Sequence, residues 1–298
     1  MTEEQLRELA RRITAVPGIV GVLLGGSRAR GDHTLESDVD LGLYYRPPLD
    51  VATLTALARQ VAGPDATLTE PGGWGPWVDG GGWLRIDGTA VDWIYRDVDR
   101  VRRSRDDARA GRYRFHAQVG HPLGVPDFAY AGEVALGVPL ADPSGELAAL
   151  RADLRDYPPA LSAALVEGLW EASFAVDLAR KGAARGDTTY VAGCLFRAFG
   201  LCAHALHGHA GRWLVNEKGA VAAAGRLPGA PADFAGRAQR IMGSLGGTPV
   251  ELRSALDAAA ELVADTAAAC RPASSSGGRA GRRPRPGDAP VPGQARPA

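Results

Sequence analysis

The segment from residue 19 to residue 45 constrains the fold more than any other part of the chain. Ile19 to Leu24 is a short apolar run rich in β-branched residues and predicts a strand. It leads at once into Gly25-Gly26-Ser27-Arg28-Ala29-Arg30-Gly31, where the chain turns toward a helix. Glycines let a backbone approach a ligand closely, and free N–H groups at a helix start favour an anion. Ser27 adds a hydroxyl donor at that turn. Ser37-Asp38-Val39-Asp40-Leu41 follows, and residues 38–45 alternate polar or small with apolar, a second strand ended by Pro47-Pro48. A period of two places Asp38 and Asp40 on one face.

Two carboxylates on one face repel each other unless a cation lies between them. Mg²⁺ takes oxygen ligands and commonly combines one or two carboxylates with substrate phosphates. A phosphate cradle beside a carboxylate pair is therefore equipment for phosphoryl or nucleotidyl transfer. A two-metal site needs a third carboxylate. Asp92 offers one, in the otherwise apolar strand Ala90-Val91-Asp92-Trp93-Ile94-Tyr95, where a buried unpaired acid would be costly and a metal would explain it. The plainer reading of Asp92 is a strand residue facing solvent. Asp97 and Asp99 lie beyond the strand and are weaker candidates.

Around this segment the first hundred residues read as a mixed sheet with helices. Residues 3–15 and 50–62 have helical periodicity. Trp83 to Ile86 and Thr89 to Tyr95 read as a hairpin with Asp87-Gly88 as its turn. After residue 97 the pattern changes: residues 144–156, 159–181, 188–209, 231–244 and 249–269 are Ala- and Leu-rich and helical in period. Residues 271–298 combine Ser, Gly, Pro and Arg with almost nothing large and apolar, the composition of a disordered tail. The expected fold is α+β: a small mixed-sheet domain over residues 1–100, an all-helical bundle over 101–270 and a tail over 271–298.

The pattern Gly26-Ser27, then Ser37-Asp38-Val39-Asp40-Leu41, then a lone strand Asp92 resembles the DNA polymerase β-like nucleotidyltransferase superfamily. The Gly-Ser-Arg-Ala-Arg-Gly version is similar to its small bacterial branch, which includes antibiotic and minimal nucleotidyltransferases. The motif spans roughly residues 19–97, about a quarter of the chain. The resemblance implies two Mg²⁺ ions on Asp38, Asp40 and Asp92. It also implies ATP or another NTP at Gly25, Gly26, Ser27, Arg28 and Ser37. The helical half resembles the C-terminal bundles of the antibiotic enzymes, which supply a basic residue to the phosphates. Lys218, in Asn216-Glu217-Lys218-Gly219 and one of only two lysines in the chain, is the position for that role. Lys218 reads equally as a solvated residue, as do Arg28 and Arg30. Glu133 could serve as a general base from the second half, though a solvated helix residue is the plainer reading.

Composition narrows the partners. The formal net charge is zero, but residues from Arg271 onward hold six Arg and one Asp, a charge of +5, which leaves −5 on the rest. An acidic body is a poor grip for nucleic acid, and a nucleic-acid polymerase is disfavoured. Three cysteines with no CxxC pair suggest neither a disulfide framework nor a zinc site. No apolar run reaches the length of a membrane span and the start is not a secretion signal, so the cytoplasm is the expected compartment. The expected activity is transfer of NMP, AMP from ATP first of all, to a hydroxyl of a small acceptor such as an aminoglycoside-like antibiotic. The alternative is a nucleotidyltransferase-type antitoxin or regulator that modifies or binds a partner protein. Pairing of two copies is left open.

Overall fold

A computed structural model describes residues 1–31 and 37–271. The first part of the chain runs α1 (Glu3–Thr14), β1 (Ile19–Leu24), α2 (Gly26–Arg30), β2 (Val39–Tyr45), α3 (Val51–Ala62), β3 (Gly81–Ile86) and β4 (Thr89–Asp97). It continues through α4 (Val98–Arg109), β5 (Phe115–Gln118), β6 (His121–Pro126), α5 (Ala129–Leu136), β7 (Val138–Ala141) and α6 (Glu146–Asp153). The last part is helical: α7 (Pro159–Glu167), α8 (Leu169–Ala183), α9 (Thr188–His209), α10 (Ala220–Ala224), α11 (Phe234–Gly243) and α12 (Pro249–Ala269).

Local chemistry accounts for the framing elements. Thr2 and Gln5 form a capping box that starts α1, and Asp50 caps α3 by accepting from Thr53 N–H. The β3–β4 hairpin turns on Asp87 and Gly88, both with positive φ (48° and 79°), the requirement of a type I′ turn. The five-stranded sheet has the order β3-β4-β2-β1-β7. β2 and β4 run parallel, and the other neighbours are antiparallel.

Alternation along β2 and β4 sends their side chains to two different environments. Val39, Leu41 and Leu43 of β2 and Val91, Trp93 and Tyr95 of β4 point into a core closed by Leu6 and Ile13 of α1 and Leu54 and Leu57 of α3. Burial of each such side chain contributes roughly 1.5–3 kcal/mol. Asp40, Gly42 and Tyr44 face the other way, as do Asp92, Ile94 and Arg96. That second face is covered only near Tyr44, where Val98 and Val101 of α4, Tyr130 and Val134 of α5 and Leu147 of α6 pack on it. Toward Asp40 and Asp92 it opens into a cleft.

The helical region has its own core, built from α8 to α12 around α9. By length and composition α9 could cross a membrane, and it is the one such helix among the described residues. This differs from the expectation that no apolar stretch would be long enough. Arg197 and three histidines interrupt the apolar run in sequence, but mean hydropathy over a helix averages across them. Most of the helix is buried against its neighbours, as a core helix is.

Several features depart from the sequence reading. The sheet takes an outer strand, β7, from residues 138–141, so it does not end at the boundary expected at residue 100. Pro139 and only four residues leave too little alternation to read this strand locally. The β5–β6 hairpin falls inside the stretch expected to be all-helical, with Gly120 at φ 82° in its turn. The helix expected over 159–181 is divided at Gly168 into α7 and α8. Asp38 lies just ahead of β2, which begins at Val39. The tail expected over 271–298 lies outside the described residues beyond Arg271.

Candidate active site

The cleft over the open end of the sheet is a cavity of about 480 Å³. Its floor is β2 and β4, with Leu23 of β1 beside them. Gly25 N–H donates to the Asp40 carbonyl at 2.8 Å, which ties the end of β1 to the start of β2. Gly26 sits at φ 60°, and a Cβ there would collide with Asp40 Oδ2. Only glycine lets the turn pass beneath that carboxylate. Arg28 closes the same loop from outside: its guanidinium donates to the carbonyls of Ser37 at 3.0 Å and Asp38 at 3.3 Å.

The three expected carboxylates share this end of the cleft. Asp40 and Asp92 stand directly opposite each other on the parallel strands β2 and β4. Asp92 is partly buried, and its pKa is pushed up from 3.8 to about 6. Burial is the main cause, the charges of Asp40 and Asp38 add to it, and Lys218 pulls the other way. The arrangement sets like charges face to face across a strand pair, and they repel each other. Among the described residues no three His, Cys, Asp or Glu side chains form a ready-made metal cage. The donor atoms that Asp38, Asp40 and Asp92 offer are hard carboxylate oxygens, the ligand type that Mg²⁺ takes.

The opposite wall comes from the helical region. Val215, Asn216 and Lys218 line the cavity from the segment before α10. The Asn216 side chain accepts from Lys218 N–H at 3.0 Å and shapes that turn. Glu217 approaches His121 Nδ1 of β6 at 3.3 Å, so the segment is held against the hairpin that sequence reading missed. Of the expected nucleotide-binding residues, Gly25, Gly26, Ser27, Ser37 and Lys218 line the cavity, whereas Arg28 is engaged with main-chain carbonyls.

Sequence reasoning missed a second charged pair. Arg96, buried, makes a two-pronged ion pair with Glu133 of α5, with Nη2 to Oε1 at 2.8 Å and Nε to Oε2. The guanidinium lies over the Tyr130 ring at 5.0 Å and donates to the Tyr95 carbonyl. Glu133 lines the cavity and is therefore not the free solvated residue expected from its helix. The signal for Arg96 was present: it lies at the same period of two as Asp92. On the outer side of Asp92, Trp83 of β3 occupies the paired position. It is 72% exposed and stacked on Trp74 at 4.4 Å.

Residues 3–65 match the family model described as a nucleotidyltransferase domain. This part of the chain is similar to nucleotidyltransferase domains. The match takes in Gly26, Ser27, Asp38 and Asp40 and ends before Asp92. A nucleotidyltransferase domain supports nucleoside monophosphate transfer in general. A nucleotidyltransferase-like protein from Exiguobacterium sibiricum, known from its crystal structure, is 14% identical, with 88% of this chain and 74% of that one covered and a TM-score of 0.43. No curated protein matches this chain.

His204 and His207 of α9, at a spacing formally compatible with zinc, are not part of the site. His204 is buried against the Phe115 and Phe128 rings with neither ring nitrogen bonded. Burial and nearby positive charge drop its pKa to about 3, so it is a neutral core residue.

Proposed function

We propose that the protein transfers NMP from an NTP, ATP in the first instance, to a hydroxyl of a small acceptor with the help of Mg²⁺. The observation that supports this reading best is geometric. Asp40 and Asp92 oppose each other at the open end of the sheet, Asp38 flanks them, and Lys218 faces them across the cleft.

The triphosphate would lie over Gly25, Gly26 and Ser27, where two glycines let phosphate oxygens approach the backbone and the Ser27 hydroxyl can donate to them. Lys218 would neutralise part of its charge. Asp38, Asp40 and Asp92 would hold Mg²⁺, which when bound offsets charge on the phosphates and on the carboxylates themselves. In the transfer the acceptor oxygen forms a bond to the α-phosphorus and the bond to the leaving pyrophosphate breaks. The acceptor proton would pass to Asp92, which lines the cleft beside Asp38 and Asp40. Arg96 and Glu133 neutralise each other and brace α5 against the sheet beside the reacting groups. Trp83 presents a flat apolar face beyond Asp92, a wall against which a ring of the acceptor can lie. The three free cysteines agree with work in a reducing compartment.

The test is incubation with labelled NTPs and Mg²⁺, against a panel of hydroxyl-bearing antibiotics and against a cell extract. Acceptor-dependent release of pyrophosphate with label on a small product supports the reading. Label on a protein moves the acceptor to a partner protein. Absence of NTP binding by calorimetry in the presence of Mg²⁺ would sink it.

A further inference from the structure

Among the described residues, several exposed large apolar side chains lie singly, such as Trp83, Val119, Val138 and Val250, but four gather in one patch. Trp170, Phe174 and Leu178 of α8 are 64%, 55% and 39% exposed and lie four residues apart, on one narrow arc of the helix. Trp170 and Phe174 touch through their rings at 6.2 Å. Tyr190 of α9, 43% exposed, extends the patch where its ring packs over Gly182. The opposite side of α8, with Ala172, Val176 and Ala179, is buried in the bundle core. Apolar rings of this size left in water point to a covering surface.

The charges at the ends of the stripe identify that surface. Arg180 is engaged by Asp177 and Asp257, and Glu171 by Arg197. This leaves Glu167 and Lys181, both exposed and without an ion-pair partner among the described residues. Lys181 stands on α8 seven residues after Phe174, and Glu167, the last residue of α7, stands seven before it across Gly168, which keeps helical dihedral angles (φ −61°, ψ −10°); Trp170 and Leu178 stand four before and four after. The stripe is thus symmetric in apolar character and antisymmetric in charge about Phe174. A two-fold axis through Phe174 would turn α8 antiparallel to its own copy, with Phe174 on Phe174, Trp170 on Leu178, and Glu167 on Lys181 at both ends. A surface complementary to itself in this way is what an isologous dimer requires. The chain's own tail does not fit as the cover, because the sequence after Arg271 holds a single large apolar residue, Val291.

We infer that α8 is a homodimerisation face on which a second copy packs antiparallel about Phe174. The three side chains supply on the order of 300 Å² of apolar surface per copy, less than half of the roughly 800 Å² that each partner buries in a standard interface. The stripe is therefore the centre of the contact, and the dimer dissociates on dilution.

Sedimentation equilibrium of the full chain over a wide concentration range tests this. A reversible monomer–dimer equilibrium is expected. Phe174→Asp, an exposed position that the fold tolerates, weakens association by roughly thirtyfold or more. Glu167→Lys or Lys181→Glu alone weakens it by about tenfold, and the double swap restores it. In a Cys194→Ser background, Phe174→Cys cross-links to itself on oxidation. Trp170→Cys does so only when mixed with Leu178→Cys. A chain that stays monomeric at every concentration overturns the inference, whether or not it then captures a vesicle or another protein. So does a dimer that Phe174→Asp leaves intact, or one whose charge swaps fail to compensate.

Discussion

Asp92→Asn tests the electrostatics of the site separately from its chemistry. The Asp92 carboxyl rises from 3.8 to about 6 in the fold, through burial and through Asp40 and Asp38. A full rise of that size corresponds to about 3 kcal/mol. Asp92 is only partly buried, and solvent screening reduces this to about 1–2 kcal/mol. The sign follows from linkage. An acid with a raised folded pKa binds its proton more tightly when folded, so its contribution is favourable below the unfolded pKa and is lost as pH rises through about 6. In chelator, the wild type therefore loses stability between about pH 4 and pH 7 that the Asn variant keeps. At pH 8 the variant should melt higher by about 2–8 °C, and at pH 4 the difference should vanish. Added Mg²⁺ with a non-hydrolysable NTP should narrow the gap, because the cation relieves the wild type and not the variant. Thermal melts at both pH values measure this directly. An equal difference at pH 4 and pH 8 would refute the account of like charges held together by the fold. Single-turnover rates on the same variant should fall by several orders of magnitude while NTP affinity largely survives.

Asp40→Ala should abolish transfer; turnover within about tenfold of wild type would contradict its role. Gly26→Ala should weaken NTP binding by at least about tenfold in calorimetry, because its Cβ has no room beside Asp40 Oδ2 and φ is positive there. Lys218→Ala should raise KM for the NTP more than it lowers kcat, and steady-state kinetics at varied NTP would show the reverse if the residue acts only on the transition state. Glu133→Gln leaves the buried Arg96 guanidinium without its counter-charge and should cost about 3–5 kcal/mol in urea unfolding, whereas a solvated Glu133 would cost almost nothing.

Much of the sheet-bearing half can be read along the chain because its information is local. The strand Ile19–Leu24, the glycine turn, and the alternation through Asp38 and Asp40 each follow from neighbours within a few residues. Asp92 announced itself as a lone acid in an apolar strand. What no local pattern could supply was the partner of each charged group. Glu133 lies 37 residues from Arg96, and Lys218 lies more than a hundred residues from Asp92, yet each pair meets at one cavity. The same holds for β7, too short to show a period, which joins the sheet only because β1 offers it an unpaired edge. The stripe on α8 was hidden for a related reason. That helix is apolar on several sides, and only packing decides which of them the bundle buries and which it leaves in water. Periodicity fixes the face of an element on which a residue stands. Which element that face meets depends on the joint burial of all the others, and that was decided only when the tertiary structure formed.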